Sequence, residues 1–406
     1  MATPHQGNVA RLIALGLVAT LAVACGSATA SPTPGSSSAT ASPTAALPAS
    51  PASTATAIAT ATATPTSTPT HSPTPVPATP IPTHSPTPAV THTPAPAGYL
   101  LIDLGAIAFS AESGLAGVNN SNWAAVSNFR YHSGGKAHVA PAPGQASATV
   151  SSINSSEVMA GTGCGANCHA TKWTSPAHGQ DLGTLGGDTS GTYQISDSGV
   201  VVGYSDTAGD TTTHAFRQSG GAAMVDLNTV IVSGPALVLR EAWGINSSGT
   251  IVGWAGENGA PQAFILTAAG ALSAIPALPG MGSGEARAIN DAGHVTGFSS
   301  DGIHTVGFLK TGATLVALPT LAGYQLMHPY GINASDAVVG CGRNMQDDSQ
   351  VHAFRYSAGH VVDLNSFLPH GSSWVLECAT DINNGGTIVG TGRIGSNYHA
   401  FMLVPS

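Results

Sequence analysis

Charge is what this 406-residue chain has least of. Asp, Glu, Lys and Arg together make up 8% of it, and no Asp or Glu occurs before residue 99. From residue 99 onward twenty acids face ten Lys and Arg, a net charge of −10. Such a segment repels nucleic-acid phosphates, and no basic run offsets the repulsion, so nucleic acid is excluded as a partner. Long apolar runs are also missing. The longest near the N-terminus, Leu12 to Ala24, has 13 residues, short of the ~20 that a membrane-spanning helix needs. No P-loop, dinucleotide fingerprint, nucleophile elbow or zinc-binding helix motif occurs. The sequence therefore points to no cofactor and no metal. Aromatics are scarce at 5%, whereas Gly reaches 50 residues, a composition suited to short strands and many turns.

The first 25 residues read as an export signal. Arg11 supplies the positive start and the 13-residue apolar stretch the core. The ending Leu21-Ala22-Val23-Ala24-Cys25 resembles a bacterial lipobox, with Ala22 departing from the usual Leu. The resemblance implies lipidation of Cys25 and a lipid anchor in the membrane at the outer face of the cell envelope. Acyl chains contribute about 0.8 kcal/mol per buried CH₂, so two or more make such an anchor stable.

Residues 26–98 are almost wholly Ser, Thr, Ala and Pro, with 16 prolines and the phrase PTHSPTP at 69–75 and again at 82–88. A tract with so little apolar bulk cannot offset its chain entropy, and disorder is expected. Proline biases it toward polyproline II at about 3.1 Å per residue, a spacer of up to ~220 Å. Its Ser/Thr density also suits O-glycosylation.

From 99 to 406 one phrase recurs seven times: VNNSNWAAV at 118, INSSEVMAG at 153, ISDSGVVVG at 195, INSSGTIVG at 245, INDAGHVTG at 289, INASDAVVG at 332 and INNGGTIVG at 382. The spacing of 35 to 50 residues marks a repeat architecture. The phrase reads as a tight hairpin: Asn caps the turn and Gly, three residues later, takes positive φ. Gly199, Gly249, Gly293 and Gly386 fit that position. Asn122 and Asp336 tolerate it, and Glu157 does not suit it. A strand is expected to follow and to end at Gly161, Gly203, Gly253, Gly297, Gly340 or Gly390. Two further phrases alternate with the first. His-Ala-Phe occurs at 214, 352 and 399, and Asp-Leu-Gly or Asp-Leu-Asn at 103, 181, 226 and 363. Four short strands per repeat, seven times, predict an all-β β-propeller of about seven four-stranded blades, with six possible because the first two copies are degenerate. The Ile-Asn strand should be innermost and the Asp-Leu strand outermost. The strand from Tyr99 should complete the last blade. These phrases, in fixed order over most of 99–406, resemble the HAF family of extracellular repeat proteins. That resemblance implies a repeat and little about activity.

The stretch GTGCGANCHATKW, 161–173, looks at first like a haem attachment site. Its Cys-x-x-x-Cys-His spacing is one residue too long, and His169 falls on the repeat's own histidine position. A zinc site on Cys164, Cys168 and His169 is a second reading. With Cys25 set aside, four cysteines remain, and an even number in an exported protein suggests disulfides. Cys164 with Cys168 would staple adjacent strands, and Cys341 with Cys378 would bridge neighbouring blades.

A binding site is expected in a loop before each inner strand, near the channel mouth. Two positions before the repeat Ile stand Tyr193, Trp243, Arg287, Tyr330 and Thr380. Four before it stand Glu241, Glu285, His328 and Cys378, with Glu377 beside the last. Aromatics with carboxylates suit a sugar, since rings stack on sugar faces and acids bond hydroxyls. The alternative is that the aromatics are interblade core. The repeat histidines are expected to be structural. The function implied is a non-catalytic binding or structural module for glycan, matrix polymer or protein. An enzyme acting on polysaccharide through paired carboxylates is the alternative.

Overall fold

The computed structural model describes residues 98–107, 116–210, 212–256 and 261–406. The expected signal, Cys25 and the Ser/Thr/Pro tract up to residue 97 lie outside the described residues.

Seven four-stranded antiparallel blades follow one another along the chain. Their inner strands are Ala116–Val118, Ser147–Ile153, Gly186–Ile195, Leu239–Ile245, Ser283–Ile289, Leu326–Ile332 and Trp374–Ile382, here blades 1 to 7. A single parallel bridge, Thr305 to Leu326, joins blades 5 and 6. Blade 7 takes its outer strand from the start of the head: Tyr99–Ala106 pairs with Asn397–Pro405, from Tyr99 opposite Pro405 to Ala106 opposite His399. The fold is the β-propeller expected, with seven blades and the expected strand order.

The hairpin phrase shows how one side chain serves two purposes. In Asn246 the carboxamide oxygen accepts the Thr250 N–H at 3.0 Å, which shapes the turn. Its NH₂ donates to the Asn290 carbonyl of the next blade at 3.2 Å. The same link runs from Asn119 to Asn154, Asn154 to Ser196, Asn290 to Asn333, Asn333 to Asn383 and, closing the circle, Asn383 to Asn119. These buried amides form a circlet of six interblade bonds. The seventh is missing because Ser196 is too short. Its hydroxyl turns back to Ser198 and the Val200 N–H, and Gln194 substitutes by accepting the Ile245 N–H at 2.6 Å. The turn glycines take positive φ as expected, Gly249 at 77° and Gly386 at 82°. So does Glu157, at 63°, against its sequence preference; its N–H bonds Asn154 and its carboxylate pairs with Arg130 at 2.9 Å.

The recurring Val-Gly pair does not end a strand, contrary to the sequence reading. Gly253 lies within Ile251–Ala255, and Gly297 within Val295–Ser300. The reason is a β-bulge in the neighbouring inner strand. Ala242 pairs Gly253 and Gly244 pairs Val252, leaving Trp243 unpaired. The inner strand there presses so close that a Cβ on Gly253 would stand 1.9 Å from the Glu241 carbonyl. Opposite each such glycine lies the phenylalanine of the His-Ala-Phe phrase. Phe216, Phe264, Phe308, Phe354 and Phe401 are all buried to 1% exposure or less, each contributing about 2–3 kcal/mol through burial. The repeat histidines bond across to the outer strand: His169 to Asp181, His214 to Asp226, His352 to Asp363 and His399 to Asp103, all through Nδ1.

Both cysteine pairs are disulfides. Cys164–Cys168 closes the hairpin between the second and third strands of blade 2, and Cys341–Cys378 joins blade 6 to blade 7. The histidine after Cys168 is held by Asp181, as its counterparts are.

Candidate functional site

The bulge in each inner strand has a geometric consequence at the centre of the ring. A bulged residue is released from the ladder and its side chain is re-aimed. Here it points into the central channel. Tyr193, Trp243, Arg287, Tyr330 and Thr380 are the unpaired residues in blades 3 to 7, and Ser151 is the unpaired residue in blade 2. With Ala116 of blade 1 they line the channel cavity, one residue per blade. The five expected two places before the repeat Ile therefore do converge. They stand on the inner strands themselves and not in loops before them, because the strand continues through the bulge.

Three of these side chains are stacked on one another around the channel wall. Tyr193 and Trp243 have ring centroids 3.6 Å apart and planes 15° apart. On the other side of Trp243 lies the Arg287 guanidinium, 3.8 Å from the ring centre. The same guanidinium is 5.7 Å from Tyr330. Arg287 Nη2 pairs with Glu285 at 2.7 Å, and the Tyr193 hydroxyl donates to Glu241 at 2.9 Å. Both faces of Trp243 are thus occupied, which removes it as a platform for a sugar ring. The interblade-packing alternative describes Trp243 better.

Burial dominates the electrostatics. It pushes the Glu241 carboxyl up, against the pull of Arg287. It pushes Tyr193 well up, with the Glu241 charge adding to the effect, and it moves Tyr204 up to about 12. Burial works against the charge on Arg287, yet Glu285 leads the groups that hold its pKa above the ordinary value. Such a cation, sandwiched between rings and tied to a carboxylate, combines two interactions that strengthen as water is excluded.

Two expected site residues lie elsewhere. His328 packs against Phe298, ring centroids 4.8 Å apart. Burial, helped by the charges of Arg287 and Arg343, lowers its pKa to about 3, so it is neutral at physiological pH. Glu377 is 3% exposed and paired with Arg393, beside the Cys341–Cys378 bridge and apart from the channel cavity.

The residues one place before the repeat Ile were not singled out from the sequence. Ser152, Gln194 and Asp381 occupy that position and line the same cavity. Each accepts an N–H from the next blade: Ile195 to Ser152 at 3.2 Å, Ile245 to Gln194 at 2.6 Å, Val118 to Asp381 at 2.9 Å. The signal was present, since the other blades carry only Gly or Ala there. Burial raises the Asp381 pKa to about 6 despite two backbone N–H donors.

No family model matches the chain, and no curated protein matches it. Solved structures do resemble it. One is a streptogramin B lyase, 13% identical, covering 75% of this chain and 98% of that one at a TM-score of 0.46. A second is YCF48 from Cyanidioschyzon merolae, 11% identical, covering 76% and 99% at 0.45. A third is the β-propeller domain of the trilobed protease from Pyrococcus furiosus, 9% identical, covering 60% and 73% at 0.38. At these identities the likeness concerns the β-propeller fold alone.

Proposed function

We propose that this chain is a surface-anchored extracellular repeat protein of the HAF type. Cys25 carries the lipid, residues 26–98 form a stalk, and the propeller head serves as a non-catalytic binding or structural module for glycan, matrix polymer or another protein. The observation that carries the reading is the commitment of the carboxylates. Glu241 receives the Tyr193 hydroxyl, Glu285 is paired with Arg287, and Glu377 with Arg393. Glycoside chemistry needs two carboxyl groups free to face one bond, one as acid and one as base or nucleophile. Here each is held by a neighbour.

An enzyme acting on extracellular polysaccharide is the competing reading, favoured by the raised pKa of Glu241. The deciding experiment incubates the full chain with polysaccharides and envelope fractions, measuring retention and product release together. Saturable retention without product supports a binding module. Product release abolished by Glu241→Gln or Glu285→Gln would establish the enzyme instead. Metabolic labelling with a fatty acid, lost in Cys25→Ser, tests the anchor.

A further inference from the structure

The channel is filled unevenly. Four consecutive blades supply bulk, in Tyr193, Trp243, Arg287 and Tyr330, and the next three supply Thr380, Ala116 and Ser151. The stacked arc ends at two tyrosines, with only small side chains around the rest of the circle. The cavity there measures about 70 Å³, room for roughly five to seven waters at 10–15 Å³ each. One sugar ring displaces a similar number, on the basis of about 30 Å³ of liquid per water.

The lining limits what such a guest is. An anion would lie against the Asp381 carboxylate, and a cation against Arg287, whose charge Glu285 already balances. A neutral polyol meets neither penalty. Hydrogen-bonding capacity is left over. Each Asp381 oxygen accepts one backbone N–H, from Val118 and Ile382, and retains a lone pair. Ser152 accepts the Ile195 N–H, so its own O–H remains to donate. Among the described residues Gln194 has no acceptor for its NH₂, and Trp243 Nε1–H and Arg287 Nε–H are buried without one. Buried donors left unpaired are rare in proteins and call for a partner.

The geometry points to this cavity as the seat of a single neutral sugar ring, the terminal unit of a glycan, set beside Tyr193 or Tyr330 with its hydroxyls on Asp381, Ser151, Ser152 and Gln194. The assignment rests on the binding-module reading above and narrows it. The cavity holds one ring, so it selects a chain end over an internal segment.

The test uses the full chain and methyl glycosides of glucose, galactose, mannose and N-acetylglucosamine, followed by calorimetry and tryptophan fluorescence. At least one should saturate below tens of millimolar. Ser151→Phe, which fills the empty arc, should abolish that binding, and the isosteric Asp381→Asn should weaken it about tenfold, corresponding to one lost charge-assisted bond of roughly 1.4 kcal/mol. Asp381→Asn keeps the test decisive should Ser151→Phe fold poorly. Failure of all four glycosides to saturate overturns the assignment, as does binding that persists unchanged in both variants. Retention of a polysaccharide under those same outcomes would leave the binding module standing with its site elsewhere. Loss of polysaccharide and glycoside binding alike would remove both.

Discussion

Tyr193 and Trp243 belong to different blades, 50 residues apart in the chain, yet their rings lie 3.6 Å apart and nearly parallel. Their contact comes from neighbouring β-bulges that aim both side chains into one channel, where Arg287 adds a third layer. The central wall is therefore built from interblade contacts, and changes there should register in both stability and binding.

Arg287→Met is expected to be the most damaging change in the wall. It keeps an unbranched side chain against Trp243 but leaves Glu285 half-buried without its cation. Removing one member of a buried pair costs about 3–5 kcal/mol. Urea unfolding should show that loss for Arg287→Met and a clearly smaller one for the double variant Arg287→Met with Glu285→Gln. Equal losses would mean that the pair is not what the arginine supports.

Ser196→Asn should complete the amide circlet. The six existing links run between 2.9 and 3.2 Å, and the seventh would donate to the Asn246 carbonyl. A net gain of about 1 kcal/mol is expected, a rise of roughly 2 °C in Tm for a domain of this size. A lowered Tm would show that Gln194 and the new amide cannot share the seam.

Gly253→Ala should prevent folding or cost well over 3 kcal/mol, since its Cβ would meet the Glu241 carbonyl at 1.9 Å and the backbone cannot retreat. Gly282→Ala, whose nearest neighbour would be 3.9 Å away, is the matched control and should change Tm little. Soluble yield and melting curves of the two separate steric clash from a general effect of losing glycine.

Asp381 gives stability a pH dependence of unusual sign. Its folded pKa is about 6, against an unfolded value of about 3.9. Between those values the folded state holds more protons than the unfolded one. The group's contribution is therefore full below pH ~4 and declines as pH rises through ~6, by on the order of 2–3 kcal/mol. Wild type minus Asp381→Asn, measured by denaturant unfolding at pH 4 and pH 7, should show the wild type losing ground at the higher pH. A difference that is flat, or of the opposite slope, contradicts the burial of this carboxylate.

The two disulfides should differ in worth. Cys341–Cys378 closes 37 residues and ties two blades, an entropic contribution of about 4 kcal/mol. Cys164–Cys168 closes a hairpin already paired at those residues, where the same relation gives at most about 2 kcal/mol. Paired Cys→Ser variants in thermal melts should rank in that order.

The fold was largely legible because one residue type carries so much of it. Asn246, with Gly249 three residues on, specifies both a turn and an interblade link, and its recurrence announces the blades. The bulge was not legible. Gly253 looks like a strand end because a glycine between Val252 and Trp254 has no local reason to be there; the reason is the Glu241 carbonyl of the next strand. The candidate site was half legible for a related cause. Tyr193, Trp243, Arg287 and Tyr330 stand out as large residues at one repeat position. Their mutual stacking depends on facing directions that repeat spacing does not give. Ser151 and Ala116, which complete the circle, carry no chemical signal at all. Asp381 was missed because it lies one place from the inspected register, although a carboxylate where other blades have Gly or Ala was a visible departure.

At the rim of the ring the two ends of the head meet, with the Ser406 N–H donating to the Gly98 carbonyl at 2.9 Å. The last blade is completed by the first strand, so the order of blades is cyclic. A short linker from 406 to 98, with new ends opened in the connection between Asp226 and Leu239, would yield a circular permutant that keeps every blade whole and moves the point of attachment to the other side of the disc.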